Sequence, residues 1–328
     1  MAEFQGSHNI GLDLVRVTET TALAAGRWVG LGSVVDAHKV ATDAMVKMLN
    51  TMEIDGRIVV GEESRLGDHS ELDSGMSVGS GRGTAVDVVL DPIDGTALVV
   101  KGYPGAISVV GVANRGAMWT PPPGAAYMNK IVVDREAAHA LVPECLHAPA
   151  GWTLALVARV KKKPVRDLMV IVLDRPRHQD LINEIRAAGA RVLLRSDGDA
   201  EGALVAATAG TGADILMGIG GVPEGVIAAC AVKALGGAMV ACLAPQSDEE
   251  REALQTANFD TRHILTASEM VAGDDIYFAA TGITDSVLLK PVRFNGPLAD
   301  TDSLLLRTAT RTRRFIQAEH ILDELENR

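Results

Sequence analysis

The chain of 328 residues contains few aromatic residues and only three cysteines. Phe, Trp and Tyr together make up 3% of the sequence, which is too little for the ring platforms on which nucleic-acid bases stack. Cys145, Cys230 and Cys242 form no C-x-x-C pair. We therefore expect buried, reduced thiols in a cytoplasmic protein, and neither a disulfide framework nor a zinc site.

The sequence also lacks an excess of basic residues and a long apolar run. With 31 Lys and Arg against 42 Asp and Glu, the net charge is −11, and an acidic surface repels nucleic-acid backbones. The most apolar stretch, residues 214–244, is interrupted by Glu224 and Lys233, and the first residues contain no apolar signal-peptide core. These absences predict a cytoplasmic protein with no nucleic-acid or membrane partner.

The remaining composition is typical of a large globular α/β protein. Hydrophobic residues are 47% and charged residues 22% of the chain, as in ordinary folded domains. In the second half, apolar segments of strand length alternate with helical ones, which predicts a parallel or mixed sheet covered on both faces. The predicted strands are 58–60, 86–91, 106–113, 168–174, 190–195 and 214–218, and the predicted helices are 11–28, 36–52, 178–188, 199–208 and 223–235.

The region 141–167 is rich in proline and glycine and contains three lysines at 161–163. We interpret it as the boundary between two lobes, residues 1–160 and 161–328, and the lysine run as a solvated face. The tail at 307–321 predicts a final element that packs on a sheet or forms a subunit interface.

The strongest local signal is DPIDGT at residues 91–96. A buried strand delivers Asp91 to its end, Pro92 ends the strand, and Gly95 permits a tight turn that brings Asp91 and Asp94 to one side. Two close carboxylates disfavour joint ionisation unless a cation lies between them, and oxygen ligands suit Mg²⁺ or Mn²⁺. The alternative is an Asp-rich turn that caps backbone N–H groups.

Two Gly-containing segments also follow predicted strands. GEE at 61–63 supplies further carboxylates, although by itself it is equally typical of a solvated acidic loop. GIGGVPEG at 218–225 leads into a helix whose N-terminus favours negative charge, and its glycines let backbone approach an anion. Its Glu224 lies in the first helical turn, either near a metal or as a simple helix-start carboxylate.

Two charged segments complete the set of strand ends. RPRH at 175–178 suits a phosphate, because arginine offers bidentate donors, although surface salt bridges would also explain it. DGD at 197–199 could hold sugar hydroxyls or cap the helix that follows. Open α/β sheets bind ligands at such strand ends, so together these segments predict one site.

Eight collinear segments, between about residues 11 and 323, resemble the class II (GlpX-type) fructose-1,6-bisphosphatases of the lithium-sensitive sugar and inositol phosphatase superfamily. They are RVTE at 16–19, GRWVGLG at 26–32, DPIDGT at 91–96, YMNK at 127–130, LDRPRH at 173–178, SDGD at 196–199, GIGGVPEG at 218–225 and ATGIT at 280–284. The resemblance implies a layered αβαβα sugar-phosphatase fold with two mixed sheets. It also implies a homodimer or homotetramer.

The resemblance further implies hydrolysis of one phosphate of a sugar bisphosphate, by default fructose 1,6-bisphosphate, with Mg²⁺ or Mn²⁺. A metal-binding N-terminal lobe and a substrate-binding C-terminal lobe are implied. Thr96 would orient the attacking water and act in catalysis with Asp91 and Glu62. The implied metal ligands are Glu62, Asp91, Asp94, Glu224 and the Ile93 carbonyl, and the implied substrate-binding residues are Gly95, Thr96, Tyr127, Arg175, Arg177, Asp197 and Asp199.

The first-lobe loops depart from the family pattern. Ser33 and His38 stand where the family has acids, and the family's GEGE is reduced to the GEE at 61–63. A lost acid predicts that one ion binds weakly or is absent. Ser33, Asp36, His38 or Glu63 could compensate for it.

These departures leave three functions open. The first is a sugar-bisphosphate phosphatase, acting on fructose 1,6-bisphosphate or on a longer heptulose or octose bisphosphate in a specialised pathway. The second is a weakened paralogue that binds a sugar phosphate without efficient turnover. The third is a phosphatase for another monoester, such as an inositol or nucleotide phosphate.

Overall fold

The computed structural model of the chain describes residues 9–61 and 70–322. The helices, numbered in chain order, are α1 (Ile10–Gly26), α2 (Val34–Leu49), α3 (Thr96–Lys101), α4 (Ala150–Lys161), α5 (Gln179–Ala187), α6 (Asp199–Ala207), α7 (Val222–Leu235), α8 (Asp248–Thr256) and α9 (Ala267–Met270). The described helices include none with the length and apolar character needed to span a membrane.

The strands form two mixed sheets, as expected. They are β1 (Ile54–Val60), β2 (Ser77–Val78), β3 (Thr84–Asp94), β4 (Ile107–Asn114), β5 (Tyr127–Val133), β6 (Met169–Leu173), β7 (Arg191–Arg195), β8 (Ile215–Gly221), β9 (Ala238–Leu243), β10 (Leu265–Thr266), β11 (Tyr277–Gly282), β12 (Arg293–Asn295), β13 (Leu298–Arg307) and β14 (Thr312–Ile321). The first sheet has the order β12-β13-β11-β4-β3-β1-β2, with β14 paired to β13. The second has the order β10-β9-β5-β8-β6-β7.

The elements stack in five layers, which confirms the αβαβα arrangement. Helices α1 and α2 cover the outer face of the first sheet, where Leu14 and Met45 join a core with Val88. Helices α6 and α7 lie between the sheets in a core that contains residues of both, such as Val109 and Met128. Helices α4 and α5 cover the outer face of the second sheet.

The chain changes sheet at places other than the predicted lobe boundary at residue 160. Strand β5 already lies in the second sheet, between β8 and β9, and β11–β14 return to the first sheet. Strand β5 pairs antiparallel with both β8 and β9. The second sheet therefore contains a central strand that comes from the first half of the chain. The functional roles assigned to the two lobes stay predictions.

The lysine run at the predicted boundary is not simply a solvated face. Lys161 is 4% exposed in its side chain and lies 2.7 Å from Asp134 and 3.0 Å from Asp214. Lys163 reaches the same Asp214 at 2.8 Å. Burial works to raise the pKa of Asp214, but hydrogen bonds from Lys163, the Met169 N–H and Lys161 outweigh it and hold this pKa below its usual value. The run therefore ties α4 to the second sheet.

We expect Lys161→Met to lower the free energy of unfolding by about 3 kcal/mol at neutral pH, because two buried aspartates lose a cation they share. Urea denaturation followed by circular dichroism measures the change. The matched control is Lys162→Met, at an exposed position of the same run, which should leave the stability nearly unchanged. Equal effects of the two variants would contradict the role given to Lys161.

The same ion pairs predict how the difference depends on pH. Because the folded-state pKa of Asp214 lies below its unfolded value, its contribution is fully present above the unfolded pKa. It is lost as the pH falls through the folded pKa. The difference in the free energy of unfolding between wild type and Lys161→Met should therefore become smaller at acidic pH.

Candidate active site

A bulge in β3 brings Asp91 and Asp94 to the same face of the first sheet. Asp91 pairs with Val109 of β4 and Asp94 with Ile107, so three steps along β3 match two along β4. In a regular strand, residues three apart point to opposite faces, and one extra residue reverses this. The strand thus continues through Pro92, where the sequence predicted its end. Both carboxylates face the middle layer of the fold.

The N-terminus of α6 holds the Asp94 carboxylate. Its oxygens accept hydrogen bonds from the N–H groups of Ala200 at 3.3 Å and Glu201 at 2.7 Å. Burial raises the pKa of Asp94 well above its ordinary value, and the charges of Asp91 and Glu224 raise it further, against the Glu201 N–H. Asp94 therefore serves as the helix cap that was the structural alternative for DPIDGT.

A second aspartate, in the turn of the second sheet, caps a helix that follows the turn of the first sheet. Asp197, in the turn before α6, accepts a hydrogen bond at 3.2 Å from the N–H of Ala97 in the first turn of α3. Each turn reads Asp-Gly, and both glycines, Gly95 and Gly198, adopt left-handed φ angles of 94° and 79°, which only glycine adopts readily. The turn of the first sheet and the turn of the second sheet thus cap each other's helix.

The glycines at the end of β8 make room for two acids. A Cβ at Gly220 would overlap the Asp199 carboxylate, and one at Gly221 would overlap the carboxylate of Glu224. Asp199 is 7% exposed and forms an ion pair with Lys130, which is fully buried. The segment GIGG was predicted to let backbone approach an anion. Here its lack of side chains instead lets acids of the protein approach the strand.

The basic segment after β6 lies beside these acids. Arg177 donates to the Ile219 carbonyl at 2.9 Å, and its guanidinium carbon lies 5.2 Å from the centre of the Tyr127 ring. Burial lowers the pKa of Arg177. Arg175 donates to the Ser196 carbonyl at 2.5 Å and lies 3.5 Å from a carboxylate oxygen of Asp197.

His178 takes a structural position, although the sequence grouped it with the arginines as a phosphate ligand. It is 1% exposed. Its Nε2 accepts a hydrogen bond at 2.8 Å from the Ile219 N–H, and its Nδ1 lies 2.7 Å from the Leu173 carbonyl, to which it donates in that tautomer. With both ring nitrogens used inside the protein, His178 positions the backbone that holds Arg177.

One cavity of about 690 Å³ collects most of the predicted site. This volume lies within the range of small-molecule sites. The predicted residues that line it are Asp94, Gly95, Thr96, Tyr127, Arg175, Arg177, Asp197, Asp199 and Glu224. The Thr96 hydroxyl donates to the Ile93 carbonyl at 3.2 Å, so these two predicted groups contact each other.

Carboxylate oxygens suit a hard divalent cation, and three buried acids interact here, although Asp91 does not line the cavity. Asp91, Asp94 and Glu224 are 1%, 2% and 9% exposed, and repulsion among them contributes to the raised pKa of Asp94. Within residues 9–61 and 70–322, however, no three His, Cys, Asp or Glu side chains form a group that could already hold a metal ion. Glu62 and Glu63 lie outside the described residues. The metal assignment stays a prediction.

Three of the four residues predicted to compensate for a missing acid, Ser33, Asp36 and His38, lie at the start of α2. Ser33 is the N-cap of this helix and accepts a hydrogen bond from the Asp36 N–H at 3.3 Å. Its hydroxyl also donates to the Asp36 carboxylate at 2.5 Å. Neither residue, nor His38, lines the cavity. Their proposed role as replacement ligands stays a prediction.

Sequence reasoning assigned no role to Lys130 and misread His178. Both were within segments quoted for the family resemblance, YMNK and LDRPRH. A lysine in the middle of a strand that is otherwise buried is the available signal, because a buried cation requires a partner. Which acid it pairs with depends on the packing of α6 against β5.

Comparison with known proteins identifies the family of the chain. A family model described as "Bacterial fructose-1,6-bisphosphatase, glpX-encoded" matches residues 8–320. The chain belongs to the GlpX-type fructose-1,6-bisphosphatase family. The resemblance inferred from the sequence is confirmed.

Two relatives of this GlpX-type chain are similar over nearly their whole length. One is the D-fructose 1,6-bisphosphatase class 2/sedoheptulose 1,7-bisphosphatase of Synechococcus elongatus, at 35% identity over 341 residues and 97% of each chain. A protein of the same name from another Synechococcus is 35% identical over 340 residues, covering 96% of each chain. The match therefore extends across both sheets of the GlpX-type fold.

In this GlpX-type site, we expect Lys130→Met to lower the free energy of unfolding by about 3 kcal/mol, because Asp199 stays buried without its cation. The double variant Lys130→Met with Asp199→Asn should recover part of that loss, since neither charge is then buried. A double-mutant cycle in urea measures the coupling. Strictly additive effects would show that the two side chains do not form the ion pair.

Proposed function

We propose that this protein hydrolyses one phosphate of a sugar bisphosphate, with fructose 1,6-bisphosphate as the default substrate. The observation that carries the proposal is the polarity of the cavity. The cavity is lined by the buried acids Asp94 and Glu224 and also by Arg175 and Arg177, and the Arg177 guanidinium lies beside the Tyr127 ring. A sugar bisphosphate carries negative charge on both of its phosphate groups and therefore requires cations at two places, which a metal and the arginines would supply.

The proposed metal ligands are Glu62, Asp91, Asp94, Glu224 and the Ile93 carbonyl, with Mg²⁺ or Mn²⁺ as the ion. When bound, such an ion neutralises phosphate charge and lowers the pKa of a water molecule. The protein itself contributes position. The β3 bulge presents two carboxylates on one face, and the Thr96 hydroxyl beside the Ile93 carbonyl can orient a water for attack on phosphorus.

The substrate-binding roles are proposed for the arginines, the tyrosine and two of the aspartates that line the same cavity. Arg177 and Tyr127 would bind the phosphate that is not cleaved, together with Arg175, since guanidinium groups give bidentate contacts to phosphate oxygens. Asp199, held by Lys130, would accept hydrogen bonds from sugar hydroxyls. Asp197 would do so beside the contacts it already has, since one carboxylate oxygen accepts from the Ala97 N–H and the other lies 3.5 Å from Arg175.

A longer sugar bisphosphate is the second candidate substrate. The names of the Synechococcus relatives include sedoheptulose 1,7-bisphosphatase, and the cavity of about 690 Å³ is not filled by side chains. Binding without efficient turnover is the alternative function, supported by Ser33, which caps α2 at the position where the family has an acid.

We expect phosphate release from fructose 1,6-bisphosphate in the presence of Mg²⁺ or Mn²⁺, and from sedoheptulose 1,7-bisphosphate if the longer substrate also fits. A panel that includes an inositol monophosphate and a nucleotide monophosphate tests the third reading. Asp91→Asn should reduce turnover by about 100-fold or more through loss of a metal ligand, and should weaken Mn²⁺ binding measured by electron paramagnetic resonance.

The panel separates the readings. Folded protein that gains thermal stability from a bisphosphate but releases no phosphate supports binding without turnover. If a monophosphate is preferred, the monoesterase reading replaces the proposal. Turnover and Mn²⁺ binding unchanged in Asp91→Asn would refute its assignment as a ligand.

We expect Arg177→Ala to raise KM for a bisphosphate about 10- to 100-fold with a smaller change in kcat, because charge-assisted hydrogen bonds to a remote phosphate are worth roughly 1.5–3 kcal/mol. Steady-state kinetics with continuous phosphate detection measure both constants. Arg186→Ala, at an exposed position of α5, is the matched control. A large loss of kcat at constant KM would instead place Arg177 at the reacting phosphate.

A further inference from the structure

Strand β14 forms a long and regular edge of the first sheet. It pairs with β13 in one unbroken antiparallel register over ten residue pairs, from Leu298 opposite Ile321 to Arg307 opposite Thr312. It contains no proline and no bulge. No strand within residues 9–61 and 70–322 pairs with its outer edge.

An edge of this kind presents unpaired backbone groups to a further strand. Proteins usually protect such an edge by shortening it, bending it, or adding proline or charged side chains. Strand β14 is long, regular and free of proline, and its charged side chains, Arg313, Arg314 and Glu319, are of both signs. Its outward face is also partly apolar, since Phe315 is 50% and Ile321 is 83% exposed. The edge of β14 can therefore accept backbone hydrogen bonds from a partner strand and donate others to it.

The charges of β14 match a reversed copy of the same strand. Residues 313, 315, 317 and 319 lie on one face, because side chains alternate along a strand. In an antiparallel pair related by a two-fold axis at Ile316, Arg313 of each copy lies opposite Glu319 of the other. All of these residues except Ile316 are exposed, so the acidic and basic side chains are available to pair.

We propose that β14 pairs with β14 of a second copy of this chain, across a two-fold axis at Ile316. The two eight-stranded first sheets then form one continuous sheet. Arg313 and Glu319 make two symmetric ion pairs, and the two exposed Phe315 rings lie diagonally across the axis, within reach of each other. The contact is isologous, as in most homodimers.

Strand β7, at the edge of the second sheet, provides a contrast. Its exposed Leu193 and Leu194, at 41% and 40%, also form an apolar strip. A two-fold axis at Leu193 would place Arg191 opposite Arg195, which puts like charges in contact. Self-pairing is therefore favoured by the charge pattern of β14 and opposed by that of β7.

The test is a charge swap read out by molar mass. Light scattering after size exclusion, and sedimentation velocity over a dilution series, should show wild-type protein as a dimer or a multiple of it. Arg313→Glu or Glu319→Arg alone should weaken the dimer about tenfold or more, since each places like charges opposite each other twice. The double variant restores opposite charges and should return the dissociation constant to near the wild-type value.

Arg186→Glu on α5 and Glu252→Arg on α8 are matched controls, because they make the same charge changes at exposed positions away from β14. They should leave the molar mass unchanged. Monomeric wild-type protein overturns the proposal, as does an oligomer that the single reversals do not affect. Weakening by the single variants without recovery in the double variant also overturns it.

The inference does not rest on the proposed function. Phosphate release is measured on the same samples, so an inactive dimer counts against the phosphatase assignment alone. Hydrogen exchange of the β14 amides gives a second readout, with protection that falls on dilution of the wild type. If the exchange rates of the β14 amides did not change with protein concentration, pairing at this edge would again be excluded.

Discussion

The cavity depends on two aspartates that cap each other's helix across the middle layer. Asp94 accepts from the N-terminus of α6, and Asp197 accepts from the N-terminus of α3. Each carboxylate accepts hydrogen bonds from N–H groups that have no partner within the helix, and each lies at the positive end of a helix dipole. Because the two turns belong to different sheets, these bonds fix the position of one sheet's acids relative to the other sheet's turn.

This arrangement also sets the electrostatics of the site. Asp94 is held among Asp91 and Glu224, which keeps its pKa raised, while the arginines and Lys130 lie on the side of β6 and β5. A site that contains both buried acids and arginines favours an anionic ligand together with a cation, because the cation relieves the repulsion among the acids. The glycines of β8 make this crowding of acids sterically possible.

Much of the fold could be predicted, because apolar periodicity reports which segments are buried. The elements of the second half lie close to the predicted ones, and the two mixed sheets were expected. The predicted lobe boundary could not reveal that β5 enters the second sheet or that β11–β14 return to the first. Pairing between distant strands leaves no local pattern. The β3 bulge was missed for a related reason, since Pro92 locally indicates an end, and only the neighbouring β4 sustains the strand.

The sequence by itself determined the family, the α/β class and the residue types of the site, because motifs such as DPIDGT and RPRH are contiguous and chemically specific. The tertiary structure decided what each side chain does. His178 holds backbone, Lys130 neutralises Asp199, and Asp197 caps a helix, since each contact joins residues far apart in the chain. Burial and packing create these partnerships, and neither is encoded in the spacing of neighbouring residues.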